Sequence, residues 1–235
     1  MALPYFFVSN YSEGQHEIEL DENNSRHAVQ VLRMKEGEKL NLTDGKGNLL
    51  TGEIVNAHKR HCSVKILDSR FTPHDSRQIT IAISLLKNTS RFEWFLEKAT
   101  EIGISEIVPL ICERTEKQKI RYERMCEICV SSMLQSQQCW VPVLKKPLRF
   151  DELIKSMTEF KGEKFIAHCV HAIKADLISI KSLQEAVILI GPEGDFTNNE
   201  IEISIKNDFT PVTLGKTRLR TETAGVVSAT LLVNL

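Results

Sequence analysis

The chain has 235 residues, 42% apolar and 26% charged, the balance of a globular protein with one large or two modest domains, which excludes a disordered tail or a fibre. Lys and Arg total 30 against 31 Asp and Glu, so there is no global basic field of the kind that wraps nucleic acid, although a local basic patch remains open. No apolar run approaches the roughly 20 residues of a membrane helix. The opening MALPYFFVSN lacks a basic start and a small-residue cleavage site, so a cytoplasmic protein with reduced thiols at its 6 cysteines is expected.

Residues 1–70 read as short strands. Residues 4–9 are apolar and aromatic, residues 25–34 form a short helix capped by Ser25, and residues 39–43 and 49–57 are strands joined by the turn Asp44-Gly45-Lys46-Gly47. A further strand spans 61–67. The pattern predicts a small β-barrel with one inserted helix, followed by a polar linker at 71–78 that contains Pro73.

From residue 79 to 235 strands alternate with helices, as in a parallel sheet with helical crossovers. Residues 79–86 form a continuous apolar run, the signature of a strand buried on both faces. Ser90-x-x-Glu93 is a capping-box pattern, opening a helix that Gly103 stops. A strand at 104–111, helices at 116–135 and 150–157, and strands at 164–167 and 186–190 follow. Thr197-x-x-Glu200 is a second capping box before a helix to 207. The chain closes with a strand at 211–214 and a helix at 223–232.

Glycine is scarce, 11 residues, yet Gly191, Gly194 and Gly215 lie just past the carboxyl ends of two predicted strands. Ligands bind there in open α/β sheets, and glycine lets backbone groups approach closely. A tight turn explains one such glycine; two glycine-bearing loops favour a ligand site. The ligand is not held by a P-loop, because Gly215-Lys216-Thr217 has Thr210 where the earlier glycine is required, and no G-x-G-x-x-G follows any strand.

Gly191-Pro192-Glu193-Gly194 after Leu189-Ile190, together with Leu214-Gly215 and Leu219-Arg220-Thr221-Glu222-Thr223-Ala224, resembles the two C-terminal cofactor motifs of the SPOUT methyltransferases. Within them the chain is most similar to the RsmE family. Arg26-His27, Val31-Leu32-Arg33, Leu86-Lys87, Glu93-Trp94, Lys98, Glu101, Gly103 and Glu113-Arg114 extend the likeness over nearly the whole chain.

The resemblance implies a PUA-like β-barrel before an α/β domain whose C-terminal part forms a deep trefoil knot. It also implies S-adenosylmethionine as cofactor and methylation of N3 of a uridine in small-subunit (16S) ribosomal RNA, within the 30S particle, by a homodimer. The chain departs from the family pattern at Asp195, where a glycine is usual, and at Leu134, Gln137 and Gln138, where an acid, a glycine and an arginine are usual.

Carried onto this sequence, the cofactor-binding candidates are His168, Ile190, Gly191, Glu193, Gly194, Leu214, Gly215, Leu219, Arg220 and Thr223. N3 of uridine is protonated at neutral pH, so its methylation needs a base or a cation that favours the anion; Arg220 and Glu193 are the catalytic candidates, and Glu222 reads as a dipole-stabilising acid. Arg26, Arg33, Lys87 and Arg114 are the RNA-phosphate candidates, against the plainer reading of solvated charged faces.

Cys126-x-x-Cys129 with Cys139, His168, Cys169 and His171 could be taken for a zinc site. The pair lies in a predicted helix without a second CxxC, so buried inert thiols and no metal are expected. Two other readings stay open: a methyltransferase of this fold acting on another RNA, and a non-catalytic RNA-binding protein.

Overall fold

The computed structural model describes residues 3–116, 119–170, 173–180 and 183–234. The chain divides into two compact units, Met1–His74 with Val130–Val141, and Asp75–Cys129 with Pro142–Leu235.

In the first unit the described residues form a five-stranded sheet, in the order β1 (Tyr5–Phe7), β3 (Lys39–Thr43), β4 (Asn48–Asn56), β5 (Ser63–Phe71), β2 (Glu17–Glu19). Only β1 pairs in parallel. Alternation along β3 and β4 turns Leu40, Leu42, Leu50 and Ile54 inward, where they meet Phe6, Leu20 and Val64 in one core. The β3–β4 connection is the predicted turn: Asp44 Oδ1 accepts from the backbone N–H of Lys46 at 2.8 Å and of Asn48 at 3.2 Å.

The helix expected from Ser25 starts earlier. α1 (Glu22–Arg26) is capped by Asp21, whose side chain accepts from Asn24 N–H, and a π-helical turn, His27–Val31, continues it. Ser25 lies inside α1, completely buried, and bridges Leu20 C=O and Cys62 N–H instead of capping.

The second unit carries an eight-stranded sheet among the described residues, all of its pairs parallel. Its path is β11 (Ala175–Asp176), β13 (Thr210–Thr213), β10 (Glu163–Ala167), β12 (Glu185–Ile190), β6 (Gln78–Ser84), β7 (Glu106–Ile111), β8 (Val143–Leu144), with β9 (Leu148–Arg149) also on β7. β12 and β6 sit centrally and are almost wholly apolar and buried, as strands covered on both faces must be.

The helices are α2 (Thr89–Ile102), α3 (Tyr122–Gln135), α4 (Phe150–Ser156), α5 (Asn198–Lys206) and α6 (Thr221–Val233). α2 is capped by Asn88, not Ser90: Asn88 Oδ1 accepts from Ser90 N–H at 3.0 Å, while Glu93 pairs with Arg124 at 2.8 Å. The Thr197–Glu200 box forms as expected, with reciprocal bonds of 3.2 and 2.8 Å. α6 packs on α2, β6 and β12.

α6 is built the wrong way round for a surface helix. Its buried side carries Thr221, Glu222, Gly225, Ser228, Ala229 and Leu232, whereas the apolar Val226, Val227, Leu231 and Val233 remain half-exposed.

Candidate functional site

Strands β13, β10 and β12 are neighbours, and the loops leaving their carboxyl ends surround a cavity of about 730 Å3. Ala167, His168, Cys169 and Lys174 come from the β10 side; Ile190 to Glu193 and Asp195 from β12; Val212 to Thr221 and Ala224 from β13 and the start of α6; Arg91 from α2.

Two backbone features shape this cavity. Gly215 has φ +133°, a conformation that L side chains rarely adopt, with open space where a Cβ would be; Thr213 Oγ1 donates to its carbonyl at 3.0 Å. A Cβ on Gly191 would lie 3.0 Å from the Phe196 ring and 3.1 Å from its backbone nitrogen, so a side chain fits this turn only if Phe196 gives way by a few tenths of an ångström.

The loops are tied to one another. Asp195, itself at φ +63°, accepts from Cys169 N–H at 2.8 Å through Oδ2 and from Phe196 N–H at 2.9 Å through Oδ1. Arg114 Nη1 donates to Gly194 C=O at 2.7 Å, and buried Glu200 accepts from Glu113 N–H at 2.9 Å. The loops after β7, β10 and β12 are thereby held in one arrangement before any ligand enters, which lowers the cost of binding.

Electrostatically the cavity is mixed, with Arg91, Lys174, Lys216, Arg218 and Arg220 around Glu193 and Asp195. His168 is 8% exposed and both its ring nitrogens are buried without a partner. Burial, helped by nearby Lys174 and opposed by Asp195, holds its pKa below the ordinary 6.5, so the ring is neutral at pH 7.

Of the residues singled out in the sequence, the structure gathers His168, Ile190, Gly191, Glu193, Leu214, Gly215, Leu219 and Arg220 on the cavity wall, whereas Gly194 and Thr223 do not line it. Sequence reasoning did not assign Arg91, Lys174, Asp195 or Thr221 to this site. Asp195 left a trace as the departure after Gly194 and Thr221 lies within the quoted motif; Arg91 and Lys174 arrive from other elements and give no local sign of this site.

The four RNA candidates are exposed and all engaged in the chain or unusually posed. Arg26 pairs with Glu22 at 2.9 Å, Arg33 follows the π-turn at φ +58°, and Lys87 pairs with Glu116 at 2.8 Å. Glu116, and more weakly Glu193, raise the pKa of Lys87. Arg114 holds Gly194 as described. Of the cysteines expected to be buried, Cys129 and Cys139 are, whereas Cys126 is half-buried and Cys169 exposed; burial pushes Cys129 up to about 11, so it is inert at neutral pH. Among the described residues no three His, Cys, Asp or Glu side chains are grouped to hold a metal, and no helix is long and apolar enough to cross a membrane; His171 lies outside the described residues.

Comparison with known proteins gives the site a context. Residues 73–233 match the family model of an RNA methyltransferase domain, and residues 20–67 that of an RNA methyltransferase PUA domain. A ribosomal RNA small subunit methyltransferase E of Rickettsia conorii is 27% identical, over 90% of this chain and 87% of that one. The crystal structure of a probable rRNA-methyltransferase from Porphyromonas gingivalis superposes with a TM-score of 0.88 at 34% identity, covering 97% of this chain and 95% of that one. That of a ribosomal RNA small subunit methyltransferase E from Neisseria gonorrhoeae, bound to S-adenosyl methionine, gives 0.87 at 30% identity with the same coverage, 97% and 95%. With a family model spanning the whole strand-and-helix region that builds the cavity, and likeness to these relatives along almost its full length, the chain belongs to the RNA methyltransferase family, in its small-subunit methyltransferase E branch.

Proposed function

We propose that the chain transfers a methyl group from S-adenosylmethionine to N3 of one uridine in small-subunit (16S) ribosomal RNA. The observation that carries this reading is the preorganised cavity at the ends of β10, β12 and β13, in a chain of the RNA methyltransferase family. The residues present fit the cofactor. A volume of about 730 Å3 lies within the roughly 300–1,000 Å3 of small-molecule sites. Ile190, Val212, Leu214, Leu219 and Ala224 offer apolar wall to an adenine ring, and Lys174, Lys216 and Arg218 offer charge to a carboxylate. His168, with no partner among the described residues for either ring nitrogen, borders the same space.

When bound, S-adenosylmethionine supplies a methyl group on a positively charged sulfur. The protein's part is holding and aligning, which is where most of the rate of such a transfer arises. Backbone groups of Ile190, Gly191, Leu214, Gly215, Leu219 and Arg220 grip the adenosine, with His168, Glu193, Gly194 and Thr223 completing the surroundings. Glu193 accepts the proton of N3, and Arg220 adds positive charge at the reacting face. N3 lies on the Watson–Crick edge, so the target is unpaired or is taken out of its helix. Arg26, Arg33, Lys87 and Arg114 contact phosphates of the RNA.

The same reading makes residues 1–70 a PUA-like barrel for RNA, 71–78 a linker and 79–235 the catalytic domain with a trefoil knot, except that Val130–Val141 group with the first compact unit. Support for the knot is that the chain reaches β13, between edge strand β11 and β10, last and then returns, as α6, across β12 to β6 and α2. Support for a homodimer is the half-exposed Val226, Val227, Leu231 and Val233 on α6, the kind of face a second copy covers. A cytoplasmic setting follows from the substrate, met within the 30S particle.

The test is transfer of labelled methyl from S-adenosylmethionine to 30S particles lacking their native modification, beside 50S particles and transfer RNA. Label confined to the 30S RNA is expected; label in another RNA moves the substrate, and cofactor binding without label in any RNA supports a non-catalytic binding protein.

A further inference from the structure

Glu222 occupies the second position of α6 with its side chain 8% exposed; Oε1 is 3.6 Å from Arg91 Nε, and Oε2 is buried with no partner. A buried carboxylate with an unfilled oxygen is costly, and natural folds keep such groups for reasons other than stability. The helix start favours its negative charge but leaves Oε2 unexplained.

Arg91 is the counterpart anomaly. It places a cation in the first turn of α2, against the helix dipole, and its side chain, 40% exposed, forms part of the cavity wall. Glu222 approaches it through Nε, which leaves the terminal nitrogens of the guanidinium for a ligand. Arg220, by comparison, is exposed at the cap of α6 and makes no ion pair among the described residues.

We propose that Arg91, held by Glu222, receives the negative charge of the target base, Arg91 as a catalytic residue and Glu222 as its positioning residue. The proposal rests on the uridine N3 reading. There the N3–H bond breaks with its proton passing to Glu193 or water, the nitrogen pair forms the bond to the methyl carbon, and the carbon–sulfur bond breaks with its pair to sulfur. Between proton loss and methyl capture the base is an anion, its charge shared with the flanking carbonyl oxygens. A planar, permanently charged guanidinium with parallel donors suits that charge better than a point cation.

The experiment compares Arg91→Ala, Arg91→Lys and Glu222→Gln in the full chain, acting on 30S particles. Arg91→Ala is expected to lower kcat about 100-fold, as loss of one charge-stabilising donor does. Its Kd for S-adenosylmethionine, measured by calorimetry, stays within about twofold of wild type. Added guanidinium restores part of the rate, and Arg91→Lys recovers less than the wild-type side chain. The pH profile of kcat moves to higher pH in both Arg91→Ala and Glu222→Gln, because deprotonation of N3 is no longer assisted. An unmoved profile, an unchanged kcat, or a Kd that rises in step with the lost activity would overturn the proposal, the last by placing Arg91 on the cofactor. Wild-type chain that methylates no uridine contradicts the parent reading, and shows it before any variant is compared.

Discussion

His168 shows how one side chain links folding to the cavity. Its ring is enclosed with both nitrogens unpartnered, and burial keeps it neutral. A histidine whose folded pKa lies below its unfolded value near 6.5 contributes stability that is complete above that pH and is lost as pH falls through the folded value. Wild-type protein is therefore expected to lose melting temperature between pH 6.5 and pH 5 more steeply than His168→Gln, as followed by circular dichroism; parallel slopes would contradict the neutral, buried ring. The residue scale also sets the limit of reading the sequence. Asp195 is visible as an unusual residue after Gly194, but nothing local says that its carboxylate holds the backbone of Cys169, 26 positions away. Arg91 reads in the sequence only as one more cation beside Lys87, because its place in the cavity depends on α6 arriving beside it.

At the scale of elements, α5 and α2 show why one cap was legible and the other was not. Thr197 and Glu200 satisfy each other within one turn, so sequence spacing is enough. At α2 the same spacing, Ser90 to Glu93, is overridden from outside: Arg124 draws Glu93 away and Asn88 takes the cap. The two-residue strands β8, β9 and β11 are too short to show any period and owe their existence to their neighbours. α6 is held by close approach. A Cβ at Gly225 would lie 2.6 Å from the Phe95 ring and 2.8 Å from Ile83 Cδ1. Helix propensity favours alanine over glycine by about 1 kcal/mol, while overpacking a filled core costs about 1–3 kcal/mol. With both neighbours fully buried the steric cost wins, so Gly225→Ala should lower the melting temperature; a rise would show that α6 can shift outward freely.

Over the whole molecule, the change from antiparallel strands to alternating strands and helices near residue 78 was legible, because the apolar periodicity itself changes there. The order of strands was not: β13 beside β10, and β12 between β10 and β6, follow from long-range packing that no local pattern encodes. The inverted α6 is also a property of the assembled molecule, since only the structure shows which of its faces is covered. Leu231→Glu, on the half-exposed face, is expected to convert a dimer to monomer in light scattering at micromolar concentration while leaving the fold intact. A wild-type chain already monomeric there would remove that use of α6.

The central claim is methylation at one ring nitrogen of one uridine, and the product nucleoside tests it most directly. After reaction with 30S particles, nuclease digestion and mass spectrometry against authentic standards should find N3-methyluridine at a single site. Methyl on carbon 5 or on the ribose 2′-hydroxyl would contradict the account, because neither product requires the N3 anion on which the proposed roles of Arg91 and Arg220 rest.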